Sequence, residues 1–174
     1  VLGAWLYQTH DYDAAGRPVR DSRPYASAPN GHTIRTFDPL GRMLSERDYD
    51  GSGAIVGNSN LTYAGRTSTL VDTLGRLRSS IVDVAGNLRR VTDPSPGGTT
   101  RYDYDSLGNL NRVQDPIGAV STGTFDVRGS RTQWSDADAG TWNFTRNSLG
   151  EVVGWTDANG RSFAAAYDVL GRRV

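Results

Sequence analysis

Apolar and polar positions along this chain never settle into a long period. No window places apolar residues at spacings of three and four with helix formers between them, the pattern an amphipathic helix needs. Short runs carrying β-branched or aromatic residues recur instead, such as Arg89-Arg90-Val91-Thr92, Asn111-Arg112-Val113-Gln114 and Val152-Val153-Gly154-Trp155-Thr156. Their alternation is soft. Aspartate outnumbers glutamate 17 to 2, and Asp favours turns and caps where Glu favours helix interiors. The pattern predicts an all-β chain.

What breaks these runs is regular. From Gly65 the glycines at 75, 86, 97, 108, 118, 129, 140, 150, 160 and 171 follow at steps of 10 or 11 residues. Most are preceded by aspartate three positions earlier and followed by arginine or asparagine. The fullest copies are Tyr12-Asp13-Ala14-Ala15-Gly16-Arg17, Phe37-Asp38-Pro39-Leu40-Gly41-Arg42, Tyr104-Asp105-Ser106-Leu107-Gly108-Asn109 and Tyr167-Asp168-Val169-Leu170-Gly171-Arg172. A fixed period of this kind marks a repeat architecture. Asp first and Gly fourth is the signature of a type I turn whose aspartate accepts a backbone hydrogen bond. The glycine then takes the left-handed conformation of a three-residue hairpin with a bulge. About 5 to 7 residues remain for each strand. The expected architecture is a series of tandem antiparallel β-hairpin repeats forming a curved or spiralling sheet, each unit covering its neighbour's apolar face.

Several copies depart from the rule. Asp93-Pro94-Ser95-Pro96-Gly97 and Asp136-Ala137-Asp138-Ala139-Gly140 each carry one extra residue, which predicts wider turns. Asn147-Ser148-Leu149-Gly150 replaces Asp with Asn, and Tyr63-Ala64-Gly65-Arg66 lacks the acid. Between Gly16 and Gly41 the rhythm lapses; Asn30-Gly31 supplies the missing hairpin signal. A longer loop is expected over 20–36, centred on Arg23-Pro24-Tyr25-Ala26-Ser27-Ala28-Pro29. The chain as a whole reads as a single repeat segment over 1–174. Because it starts without Met and stops three residues past Gly171, it is expected to be a piece of a longer polypeptide.

Composition narrows the picture further. Hydrophobic content is 36%, with 21 glycines, so the sheet is expected to have one lightly packed face and one open to solvent or a partner. There is no cysteine to staple it. A formal net charge of zero gives no general attraction to nucleic acid or anionic membrane. No signal peptide or spanning segment is recognised, since Val1-Leu2-Gly3-Ala4-Trp5-Leu6 is too short to cross a bilayer. All 19 basic residues are arginine, consistent with a GC-rich bacterial coding bias.

Tyr-Asp-x-x-Gly-Arg at roughly double spacing, with plainer Asp-x-x-Gly units between, resembles the YD repeat of the RHS (rearrangement hotspot) family from Tyr12 to Arg172. The resemblance implies a hairpin sheet that spirals into a hollow shell around a toxic C-terminal domain, as in bacterial insecticidal toxin complexes and polymorphic toxins. It further implies secretion or a cell-surface setting, an enclosed toxin or cargo polypeptide and neighbouring repeats as partners, and no catalysis. This chain would form only an arc of such a shell. Related repeats serve adhesion in wall-associated proteins and teneurins, which leaves an adhesive or carbohydrate-binding module as the alternative. Bacterial members often end the shell with a self-cleaving segment; Asp115-Pro116-Ile117-Gly118 and Asp38-Pro39-Leu40-Gly41 share four residues of it but sit in phase with the turns, so no cleavage site is carried over.

Other chemistry is weighed against structure. The pairs Asp11/Asp13, Asp48/Asp50 and Asp103/Asp105 place two carboxylates on one side of a strand, and Asp48-Tyr49-Asp50-Gly51-Ser52-Gly53 imitates the start of a calcium loop. Position twelve is Ser59 rather than glutamate, and the second aspartate of each pair is owed to a turn. His10 and His32 lack partners for a metal or triad and read as surface or hairpin residues. Arginines after the turn glycines are expected to pair with aspartates of adjacent hairpins. Trp134 and Trp155, each five residues after a turn glycine, read as packing residues; Trp5 and Trp142 are less determined. No catalytic, cofactor-binding or metal-ligating residue is assigned, and no cofactor is expected.

Overall fold

In a chain this rich in Asp-x-x-Gly, each carboxylate can close its own loop before any distant contact forms. The computed structural model, which describes residues 5–174, repeats one such loop eleven times, at Asp13, Asp38, Asp50, Asp72, Asp83, Asp105, Asp115, Asp126, Asn147, Asp157 and Asp168. The N–H of the glycine at position four donates to the carbonyl of residue one, and the N–H of residue one donates to the carbonyl of residue five. The side-chain Oδ1 of residue one accepts two further N–H bonds, from residues three and five. At Asp105 these come from Leu107 and Asn109, both at 2.9 Å. This is a type I turn with a bulge. Its glycines have φ between 73° and 94°, a region costly for a side chain bearing Cβ.

The strands are what the turns leave. One compact unit ends at Ile81 and the other spans Val82–Val174. The first contains β1 (His10–Tyr12), β2 (Pro18–Ser22), β3 (Gly31–Phe37), β4 (Met43–Asp50), β5 (Ile55–Ala64), β6 (Thr67–Val71) and all but the last residue of β7 (Leu77–Val82). The second contains β8 (Leu88–Asp93), β9 (Gly98–Tyr104), β10 (Leu110–Gln114), β11 (Val120–Phe125), β12 (Arg131–Asp136), β13 (Gly140–Arg146), β14 (Val152–Thr156) and β15 (Ser162–Ala164). Within each unit strand order follows chain order, every pairing is antiparallel, and strands touch only their neighbours in sequence. The expectation of tandem antiparallel hairpins holds, and no helix occurs among the described residues.

Three departures from expectation have local causes. β2 and β3 extend to Ser22 and from Gly31, so the loop is 23–30 rather than 20–36. Asn30-Gly31 ends that loop instead of turning a tight hairpin, while Tyr25 bridges back to Tyr7. The Asp93 turn is one residue wider, but Asp136 closes on Gly140 over three residues, with the glycine moved to the closing position. Around Gly65 the hairpin has two residues: Gly65 at φ 60° and Arg66 at negative φ, the type II′ arrangement.

A sheet of this kind has almost no interior. Among the described residues Val91, at 5% exposure, is the one apolar side chain that is buried outright. Most strand positions are half-buried on both faces. At the turn tips Leu107, Val127, Leu149 and Leu170 stand 67%, 92%, 82% and 73% exposed. In the Val82–Val174 unit these tips fall on alternate turns, and therefore on one edge of the sheet.

Candidate functional site

The motif residues are tied together across turns as well as within them. The turn arginines pair with the aspartate of their own turn rather than with an adjacent hairpin: Arg17 with Asp13, Arg42 with Asp38, Arg76 with Asp72 and Arg172 with Asp168, at 2.6–2.7 Å. Held there, the guanidinium reaches the next aromatic. Arg17 lies 4.8 Å from the Phe37 ring centre and Arg42 lies 4.2 Å from that of Tyr63. This cation–π contact links turns some twenty residues apart.

The motif tyrosine has a second task that no local pattern announces. The Tyr63 hydroxyl donates to the Met43 carbonyl at 3.0 Å, that of Tyr104 to Leu88 at 3.1 Å and that of Tyr167 to Val152 at 3.1 Å. In each case the acceptor is the residue just after the preceding turn on the same edge. The tyrosine ring fills the space between two turns while its hydroxyl satisfies that carbonyl.

Charged side chains bridge the strands. Across β1–β4, His10 Nδ1 lies 2.6 Å from Asp21, Arg35 pairs with Asp21, and Arg35 Nε donates to Glu46 at 2.7 Å. Asp21 is held below the usual carboxylate range by His10 and then by Arg35. In the second unit Asp103 accepts from Arg89 at 2.8 Å and Arg112 at 3.2 Å. The turn carboxylates are depressed in the same direction: Asp13 by the Arg17 guanidinium, Asp50 by the Ser52 hydroxyl and Asp105 by the Asn109 amide.

Against this frame the paired carboxylates separate. Asp13, Asp50 and Asp105 are consumed by their turns. Asp48 instead accepts from Thr33 Oγ1 at 2.5 Å on the neighbouring strand, so the imitation calcium loop is split between a ladder and a turn. No group of three metal-ligating side chains comes together among the described residues. Asp38-Pro39-Leu40-Gly41 and Asp115-Pro116-Ile117-Gly118 both fold as ordinary turns. His10 is an exposed partner of Asp21, and His32 stacks on Tyr49 with ring centres 4.7 Å apart.

Three of the four tryptophans pack. Trp134 lies opposite Trp142 in register and beneath Arg131, and Trp155 stacks on Phe163 at 5.3 Å. Trp142 donates through Nε1 to the Ala139 carbonyl at 3.3 Å, while Trp5 is 83% exposed. Within each unit the site is a braced sheet.

Such a sheet defines the class: a tandem β-hairpin repeat. Residues 82–120 match the family model for the RHS Repeat, and the chain carries that repeat; the resemblance read from its Tyr-Asp turns is borne out. No curated protein matches the chain. Among solved structures it is similar to TcdB2-TccC3, with 19% identity and a TM-score of 0.77, and to TcdB2-TccC3 without its hypervariable C-terminal region, with 18% and 0.78. A Tc holotoxin pore of Photorhabdus luminescens, carrying a mutation in TccC3, gives 18% and 0.77. Each similarity covers 95% of this chain and 10% of the other. The chain therefore spans about a tenth of the length of these structures. At such identity the shared property is the fold.

Proposed function

We propose that this chain is a non-catalytic stretch of wall in an RHS/YD-type shell that encloses a toxin or other cargo polypeptide in a secreted or cell-surface bacterial protein. The observation that carries this reading is an edge of exposed apolar turn tips, Leu107, Val127, Leu149 and Leu170, on a sheet whose strands have no covering layer within either unit. An isolated globule hides such residues; a strip of wall sets them against the next strip. Eleven identical closed turns supply stiffness, and the zero formal charge leaves the sheet free of net electrostatic preference for what it surrounds. The function is containment: a polypeptide behind the wall is kept from proteases and from its targets.

Limited proteolysis of the full-length protein that carries this segment tests the reading. The enclosed polypeptide should resist protease in the wild type and become sensitive when Gly108→Val breaks one turn of the wall. Equal sensitivity in both would overturn containment. For the 174-residue chain alone, concentration-dependent association by sedimentation is expected, and it should weaken when Leu107 and Leu149 are changed to Ser.

A further inference from the structure

One place on the turn edge breaks the motif three times. Where Tyr12, Phe37, Tyr63, Tyr104, Phe125 and Tyr167 put an aromatic ring immediately before the turn, position 146 has arginine. The following turn begins with Asn147 instead of Asp. In the turn before it, Arg128 occupies the third position, which in other copies belongs to Ala15, Leu40, Leu74, Leu107 or Leu170. Arg146 performs half of the missing tyrosine's work. Its NH1 donates to the Arg131 carbonyl, the residue just after the preceding turn, as the tyrosine hydroxyls do elsewhere. Its slender side chain does not fill the space of the absent ring. A cleft of about 440 Å³ opens there, lined by Asp126, Arg128, Thr132, Phe144, Arg146 and Ser148.

Little of the charge in this cleft is used internally, the Arg146 guanidinium resting 5.9 Å from the Phe144 ring centre. Arg128 gives one N–H to the Ser148 carbonyl at 2.8 Å, and Arg146 gives one to Arg131. A guanidinium has five N–H donors, so most of both forks remain available, and neither arginine has an ion-pair partner among the described residues. Asp126 Oδ1 is occupied by the N–H groups of Arg128 and Ser130. Two guanidiniums and one carboxylate give the cleft a net charge of one, suited to a monoanion rather than a doubly charged phosphate. The cleft has the volume of an ordinary small-molecule site, and the half-buried Phe144 ring forms part of its wall.

We propose that this cleft binds a carboxylate carried on a ring-sized apolar body, the ring standing where the motif tyrosine is missing and the carboxylate taken by the forks of Arg128 and Arg146. The ligand is either a free aromatic acid or the C-terminal carboxylate of a polypeptide that ends in an aromatic residue. The inference is independent of the wall reading, since it concerns one cleft and not the sheet as a barrier.

Saturation-transfer NMR on the 174-residue chain at constant ionic strength tests it, with benzoate and N-acetylphenylalanine as probes and neutral benzamide as control. Transfer to one or both acids and not to benzamide is expected, and the acid that binds identifies the source. Arg146→Tyr restores the motif and fills the cleft. Arg128→Leu installs the residue that other turns carry. Both variants therefore keep the fold; Arg146→Tyr should abolish acid binding because its ring takes the ligand's place, and Arg128→Leu should weaken it about ten-fold, the loss of one charge-assisted hydrogen bond. No transfer to either acid, equal transfer to benzamide, or binding unchanged in either variant would overturn the proposal.

Discussion

The two units of this chain solve the same problem with different materials. In the unit ending at Ile81, strands reach eight and ten residues at β4 and β5, an eight-residue loop over 23–30 interrupts the rhythm, and β1–β4 are cross-linked by the His10–Asp21–Arg35–Glu46 ladder. In Val82–Val174, β8–β14 keep to five to seven residues, and the cross-links of its last strands are aromatic. There Trp134 stands opposite Trp142, Phe144 opposite Trp155 and Trp155 opposite Phe163. What the units share is the turn. Strand length and cross-strand chemistry vary freely because each strand answers only to its neighbours, whereas the turn that opens on Asp or Asn closes within five residues at eleven positions.

The largest effects should come where a turn or strand glycine is crowded as well as strained. At Gly98, with φ 111°, a Cβ would sit 2.7 Å from Pro116 Cβ; at Gly108, with φ 85°, it would meet nothing within 4 Å. Gly98→Ala should therefore cost about 3 kcal/mol, adding overpacking to left-handed strain, against about 1–2 kcal/mol for Gly108→Ala. Urea midpoints compare the two, and equal losses would show that the approach of Pro116 is unimportant. Next is Gly123→Ala, at about 2 kcal/mol, because a Cβ there would lie 2.8 Å from the Trp134 ring. Near-ultraviolet circular dichroism should report the displaced indole, and an unchanged spectrum would count against that seat.

Tyr63→Phe and Tyr104→Phe probe one hydroxyl bond in each unit and should each cost about 1 kcal/mol. A loss in only one unit would break the claim that the turn edge works alike in both. Smallest is Arg35→Ala, up to about 1 kcal/mol and confined to the first unit by hydrogen exchange. Its pH signature is sharper. A carboxylate depressed in the folded state contributes stability above its unfolded value of 3.8 and loses it as pH falls through the folded value. Without Arg35, the acid loss belonging to Asp21 should be smaller and complete nearer pH 3.8, whereas the Asp13 and Asp105 turns should titrate as before.

Much of this was legible in the order of residues. Asp105-Ser106-Leu107-Gly108-Asn109 contains every atom that its turn needs, so the hairpins, the strand pieces around Val91, Val113 and Trp155, and the absence of helix from the pattern could be read directly. The same local reading failed at Asn30-Gly31. There a good hairpin dipeptide ends a long loop, since Gly31 is pressed against the Tyr49 carbonyl, 2.6 Å from where a Cβ would stand. It also assigned Arg17 and Arg42 to the wrong aspartates. The tyrosine hydroxyl bonds, the Arg–aromatic stacking and the charge ladder were hidden because their partners lie 11 to 21 residues away.

By itself the sequence determined where the chain reverses and that it does so with strands between, because an aspartate whose backbone N–H donors lie two and four residues along the chain needs no help from the rest of the molecule. Only the tertiary structure decided which side chains meet across those reversals, which glycines are crowded rather than merely strained, and where a missing ring leaves a cleft. Those outcomes depend on strand register, and register is a property of paired strands that no single segment contains.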